Sequence, residues 1–327
     1  MKISLLSDLH VEHFESFSSF QDKYEEKFHR KLLSTKLIEE GSDVLILAGD
    51  VANVKQESFK ELLNDVSHRF KHVIYVAGNH EFYGNEYYSC MESMKQVCLE
   101  KKNIHFLDQS VVEIKDDETG EMVVFIGCIL WSRVPEASKP FVGTSMNDYK
   151  VIKIQDNAST EPVNLTVNDT VKWFEEQVQF IEKQIQLAKQ ENKRAIIVTH
   201  NAPLTKGVSD PKYENSTTEF TKHLNTAFAT DLRHLMGPPV IAWFFGHTHF
   251  SSRQCHNQTI VASNQLGYLL FGNEKNELYD EFWVFDTNHI DYSKYKQVSD
   301  HSTENNEHHA TSAQTTTTSN KKKCLFM

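Results

Sequence analysis

The sequence is poor in several things, and each scarcity excludes a class of protein. Its five cysteines (90, 98, 128, 255 and 324) are odd in number and irregularly spaced in a chain of 327 residues. They read as reduced cytosolic thiols, not as a disulfide framework. With 7 Pro and 12 Gly the chain is neither collagen-like nor a Pro/Gly-rich low-complexity polymer. Positive charge is scarce as well: 34 Lys and Arg stand against 45 Asp and Glu, for a formal charge of −11, and only six residues are Arg. That balance disfavours nucleic acid as a partner, because phosphate backbones want a basic face. The longest apolar run, residues 122–131, is half the ~20 residues a membrane-spanning helix needs. The opening Met1-Lys2-Ile3-Ser4-Leu5-Leu6-Ser7-Asp8 is too short in apolar residues for a signal peptide, and Lys2 rules out N-myristoylation.

What is present suffices for a large core: 39% hydrophobic residues with 24% charged, at a mean hydropathy of −0.49. Short β-prone runs at 2–7, 43–48 and 72–77 alternate with helical spacing at 19–40 and 59–70. Strand, helix, strand in this rhythm predicts βαβ units in a largely parallel sheet. Further strands are expected at 104–107, 111–114, 122–131, 195–199, 240–245, 259–263 and 282–285, with a hairpin turn at Asp116–Gly120. The clearest helix is 170–191, where Val171, Phe174, Val178, Ile181 and Ile185 share a face and Thr166 and Asp169 offer a capping box. The expectation is an α/β fold with strands in both halves, two sheets packed face to face and helices outside.

Five apolar runs end in loops rich in Asp, Asn or His: Ser7-Asp8-Leu9-His10, Gly49-Asp50, Gly78-Asn79-His80-Glu81, Thr199-His200 and Gly246-His247-Thr248-His249. Any one alone would be ordinary. Together, at the carboxyl ends of strands where α/β sheets bind ligands, they offer two carboxylates, an amide oxygen and four imidazoles. That donor set suits two divalent or trivalent ions of Mn, Fe or Zn. Asp8, His10 and His249 suit one ion; Asn79, His200 and His247 suit the second; Asp50 has two oxygens and can bridge them. Glycines 49, 78 and 246 leave room for close turns. His80, next to Asn79, is placed at the rim, where an imidazole can protonate a leaving oxygen, with Glu81 available to orient it or another ligand.

These blocks resemble the calcineurin-like metallophosphoesterase superfamily over residues 1–290, within it a small group of single-domain phosphoesterases with Gly-Asn-His-Glu-Phe-Tyr (78–83), His-Asn-Ala-Pro (200–203) and Ser-Asn-Gln-Leu-Gly-Tyr (263–268). The resemblance implies a four-layer αββα sandwich with two mixed β-sheets and a binuclear metal site at strand ends. It implies hydrolysis of a phosphate diester or small monoester through a metal-bridging hydroxide, with Asp50, Asn79 and His80 catalytic. The Ser/Thr protein phosphatases of the superfamily carry Gly-Asp-x-Val-Asp-Arg-Gly and Leu-Arg-Gly-Asn-His-Glu. Here Val54 and Ala77 stand where those Arg would be, which argues against a protein phosphatase; a nuclease is disfavoured by the acidic body. Arg253, Arg133 and Tyr83 are candidates for contacting substrate. A non-catalytic scaffold on the same fold is the rival reading, opposed by the full set of ligand types. Oligomeric state is left open.

The expected organisation is a catalytic domain over 1–295, a polar linker at 296–320 lacking aromatic residues, and a basic tail. From residue 296 on, four Lys oppose Asp300, Glu304 and Glu307, a local balance of about +1 that leaves about −12 elsewhere. The end, Lys321-Lys322-Lys323-Cys324-Leu325-Phe326-Met327, has Cys fourth from last and Met last, a farnesylation pattern at Cys324. One lipid chain binds weakly, and three lysines add ~1 kcal/mol each at an anionic leaflet. The expected location is the cytoplasm, peripheral to a membrane.

Overall fold

The structure is a computed structural model, and it describes residues 1–33, 42–155, 161–270 and 276–297. Two sheets form its centre. In the first, β1 (Lys2–Leu6), β2 (Val44–Ala48), β3 (His72–Val76) and β4 (Ile104–Phe106) run parallel in that order. The second sheet takes strands β5 (Ser110–Lys115) and β6 (Met122–Gly127) from the middle of the chain. A short ribbon, β7 (Lys153–Ile154) and β8 (Val163–Asn164), stands apart from both sheets. β9 (Arg194–Val198), β10 (Val240–Phe245), β11 (Ser252–His256) and β12 (Thr259–Ser263) join the second sheet, while β13 (Val284–Asp286) returns to lie antiparallel along β1 of the first. With β14 (Lys296–Gln297), the second sheet has the order β14-β11-β12-β10-β9-β6-β5. Its centre, β12-β10-β9-β6, is parallel, flanked by the antiparallel pairs β11–β12 and β5–β6.

The strand sequences read as unbroken apolar runs because both faces are covered. Period-2 alternation sends Ile3, Leu5, Ile46, Ile74 and Val76 of the first sheet to meet Val123, Phe125, Ile196, Val198, Ala242 and Phe244 of the second, all fully buried in one cluster. The opposite faces, including Leu45, Leu47, Tyr75, Ile126, Ile197 and Trp243, pack under helices. Helices Glu57–Arg69 and Tyr87–Leu99 lie on the first sheet, and Val167–Gln190 on the second. This is the four-layer αββα sandwich.

Helix Val167–Gln190 starts three residues before the expected position, at a Thr166/Asp169 capping box. It buries Phe174, Ile181 and Ile185, each worth about 1.5–3 kcal/mol by apolar burial. Gln177 on the same face accepts from the Trp131 backbone N–H at 3.1 Å and so ties down the chain leaving β6. Only 122–127 of the apolar run 122–131 is strand; the remainder is buried loop. The expected helix at 19–40 is Phe17–Phe28, closed by left-handed His29, and residues 34–41 lie outside the described residues. No helix among the described residues is long and apolar enough to cross a membrane.

Candidate metal centre

The five polar blocks follow the carboxyl ends of β1, β2, β3, β9 and β10, so the site straddles the same edge of both sheets. Their backbones are unusual. Asp8, His10, Asp50, His247 and His249 all have φ between 50° and 74°, a left-handed conformation that costs a non-glycine residue about 1–2 kcal/mol. Strain concentrated on five polar residues of one cluster marks a functional site.

Asp8, His10 and His249 bring ligand atoms within 4.8 Å of one another, and so do Asp50, His200 and His247. His10 Nε2 lies 2.9 Å from His249 Nε2, and His249 Nε2 lies 3.6 Å from Asp8 Oδ1. Asp50 Oδ2 sits between the groups, 3.9 Å from His10 Nε2 and 3.3 Å from His200 Nε2. Asn79 Oδ1 is 3.1 Å from His200 Nε2. Asp8, His10, Asp50, Asn79 and His200 are all buried.

The donors are arranged for cations. His200 Nδ1 donates to the Ala48 carbonyl at 2.9 Å, and His10 Nδ1 donates to Glu12 at 3.0 Å. Both partners only accept, which puts a proton on Nδ1 of each ring and turns Nε2 to the cluster, where a neutral ring would offer its lone pair to a cation. Close approach is permitted by glycines: a Cβ at Gly78 would lie 2.1 Å from Asp50 Oδ1, and one at Gly49 (φ 86°) would lie 2.4 Å from His200 Nδ1. The residues present therefore fit a pair of metal ions.

Electrostatics follow from the crowding. Burial pushes Asp8 up to about 6, against the attraction of His249 and His200. Burial lowers His10 to about 4 despite Glu12. For His80 and His200 burial acts downward but the carboxylates win: Asp50 and Glu12 bring His80 to about 9, and Asp50 brings His200 to about 10. Dense like and unlike charge in a dry site is the environment that bound cations would reorganise.

His80 stands beside this cluster on a 3-10 turn, with its backbone N–H donating to Asp50 Oδ1 at 2.9 Å. Its ring stacks on Tyr83 at 4.1 Å, and its Nε2 faces the Tyr268 hydroxyl at 3.3 Å. Glu81 does not orient it. The Glu81 carboxylate accepts the backbone N–H groups of Gly78, Asp50 and Val51 at 2.8–3.1 Å, bracing the two loops that carry Asp50 and Asn79. The carboxylate on His80 is Glu12, whose Oε1 lies 2.9 Å from Nδ1.

Tyr83 lies in the site, donating to Asp148 at 2.6 Å. Arg253 and Arg133 are engaged elsewhere. Arg253 donates to the Leu278 carbonyl and covers the Trp283 ring at 4.8 Å, while the Arg133 guanidinium lies over Phe174 at 5.4 Å. Lys321, Lys322, Lys323 and Cys324 lie outside the described residues. Three further residues line the site that the sequence patterns do not single out: Glu12, Asp148 and Tyr268. Glu12 continues the Asp8, His10 two-residue spacing, a signal that was available. Asp148 comes from a helix remote in sequence and gave none. Tyr268 stacks on His10 at 4.2 Å.

Candidate metal-ligand clusters at the carboxyl edge of an αββα sandwich are the mark of an α/β protein of the calcineurin-like type. The chain belongs to the calcineurin-like phosphoesterase family, whose model matches residues 1–251. It is 35% identical over 235 residues, 68% of this chain and 78% of the other, to an uncharacterized protein, L509, of Acanthamoeba polyphaga mimivirus. Its fold is similar to that of a phosphopantetheinyl hydrolase from Mycobacterium tuberculosis, with TM-score 0.55 and 15% identity over 84% of this chain and 93% of that one. A dimetal phosphatase from Danio rerio aligns at TM-score 0.44 with 15% identity over 80% and 86% of the two chains.

Proposed function

We propose that this protein hydrolyses phosphate esters, diesters or small monoesters, with two metal ions of the Mn, Fe or Zn type. Asp8, His10 and His249 would hold one, Asn79, His200 and His247 the other, and Asp50 both. The observation that supports this most directly is the position of Asp50 Oδ2, within 4 Å of one imidazole from each triad. When bound, such ions supply Lewis-acid activation of a phosphoryl oxygen and of water.

The chain's own groups supply the rest. Burial of the carboxylates and imidazoles excludes bulk water, which strengthens every charge interaction with a phosphoryl group. His80, held at Nδ1 and stacked on Tyr83, can present a proton from Nε2 to a departing alkoxide or phenoxide. The Asn79 amide, fixed by Asp148, keeps its oxygen on the cluster side. Val54 and Ala77, in place of the two Arg of the protein phosphatases, favour diesters or small esters, because a terminal phosphate would lose its bidentate partners. The test is metal content and turnover of aryl phosphate, aryl diester and alkyl ester panels by the metal-reconstituted protein. Two ions per chain with turnover of at least one ester supports the reading; no turnover with both ions bound would favour a scaffold.

We also propose a farnesyl anchor at Cys324 beside Lys321, Lys322 and Lys323, placing the enzyme on a cytoplasmic membrane surface. Support comes from the sequence of the tail. A cell-derived protein should carry the farnesyl mass at Cys324 and pellet with membranes, and Cys324→Ser should move it to the soluble fraction.

A further inference from the structure

Glu12 sits on the 3-10 turn Val11–His13, two residues past His10, with its side chain only 10% exposed. Its Oε1 accepts from two rings at once: Nδ1 of His10 at 3.0 Å and Nδ1 of His80 at 2.9 Å. Its Oε2 is buried without a hydrogen-bond partner. A buried carboxylate with an idle oxygen is a liability for folding, so stability does not account for it. Among the described residues no other carboxylate hydrogen-bonds the His80 ring, and Glu81 is committed to three backbone N–H groups.

A carboxylate oxygen cannot donate. Both rings must therefore meet Glu12 with an Nδ1–H, whatever the charge state of His80. That directs the Nε2 of His10 toward His249 and Asp50, and the Nε2 of His80 toward the Tyr268 hydroxyl. We infer that Glu12 is a positioning residue that, through one shared oxygen, fixes the ring of a metal ligand and the ring of the proton donor together. Metal retention at the Asp8–His10–His249 group and proton delivery by His80 then depend on the same contact. The inference rests on the metallohydrolase reading above.

The test combines three readouts. First, manganese or zinc titration of the full chain by calorimetry, with bound metal counted, should show a tenfold to hundredfold weakening of one ion in Glu12→Ala, roughly the loss expected for an outer partner of a ligand. Glu12→Gln keeps an accepting oxygen and should recover most of that loss at an undiminished melting temperature. Second, in metal-free wild type, selectively labelled histidine should give 15N shifts for His10 with Nδ1 protonated and Nε2 bare. Third, Glu12→Ala should lose at least about tenfold more rate on alkyl than on aryl esters, because only poor leaving groups need the proton. Wild-type uptake of two ions with Glu12→Ala unchanged in affinity would overturn this inference alone, as would an Nε2–H tautomer at His10. A wild type that takes up no metal would overturn the metallohydrolase reading and this inference with it.

Discussion

Asp148 Oδ1 accepts a hydrogen bond from Asn79 Nδ2 at 2.9 Å. The amide has one face that donates and one that accepts, and a carboxylate can only take the donating face. Asp148 therefore decides that Asn79 turns its oxygen to His200 and the candidate metal centre. Tyr83 donates to the same Oδ1 at 2.6 Å, so one buried carboxylate holds both a candidate ligand and the wall beside His80. Asp148→Ala removes that constraint, since it leaves the Asn79 amide no acceptor there. The expected result is a tenfold to hundredfold weaker second metal ion, of the order seen when such partners are lost, read by metal analysis after dialysis. Full metal content in the variant would remove Asp148 from the account.

His80 gives a sharper separation between holding metal and doing chemistry. It stacks on Tyr83 and touches Glu12 and Tyr268; it lies outside the two donor triads, although its ring also comes close to His10, Glu12 and His13. His80→Ala should retain two ions per chain while kcat falls about 10²- to 10⁴-fold, the range for losing a general acid. Full rate on several esters would show that His80 does not serve the leaving group.

How much of this was legible beforehand depended on where the information lay. The five polar blocks could be read because each is local: a strand end, a turn and one to three polar donors within four residues. Helix Val167–Gln190 was legible for the same reason, its cap and apolar stripe both being written in adjacent residues. Strand β11 was not. Its sequence, Ser-Arg-Gln-Cys-His, is polar, and it is a strand because it pairs with β12 across Asn257-Gln258, both at positive φ. That turn geometry is normally signalled by glycine. Helix Tyr87–Leu99 hid its buried face in Tyr87, Cys90, Met91, Met94 and Cys98, weaker markers than Leu or Ile. Asp148 became part of the site only through tertiary packing, and the guanidiniums of Arg253 and Arg133 settled on Trp283 and Phe174 for the same kind of reason.

Gly78 tests the fit of the cradle. A Cβ there would lie 2.1 Å from Asp50 Oδ1 and 2.5 Å from the Asp50 backbone nitrogen, so Gly78→Ala must displace Asp50. Gly84, at φ 75°, meets nothing within 4 Å, and Gly84→Ala should cost only the backbone strain of about 1–2 kcal/mol. Metal content and thermal melting of the pair separate the two effects. Gly78→Ala should lose metal, and Gly84→Ala should melt earlier but keep it.

The family match stops at residue 251, yet the fold does not. β12 lies between β10 and β11 inside the second sheet, and β13 pairs with β1, Lys2 opposite Asp286 and Ser4 opposite Val284. A buried carboxylate, Glu281, accepts from the Tyr24 hydroxyl at 2.9 Å and from Arg30, pinning the first helix to this late segment. Removing residues 252–327 would expose the edge of β10 and the flank of β1 and strip the Tyr24 and Arg30 partners. Such a chain should be insoluble or molten by circular dichroism, whereas residues 1–297 should melt cooperatively. Within the full chain, Arg30→Ala should cost about 1.5–3 kcal/mol, the worth of a hydrogen bond to a buried charge, measured by urea denaturation. Cooperative folding of 1–251 would show that β12, β13 and the Glu281 clasp are additions to a domain already complete without them.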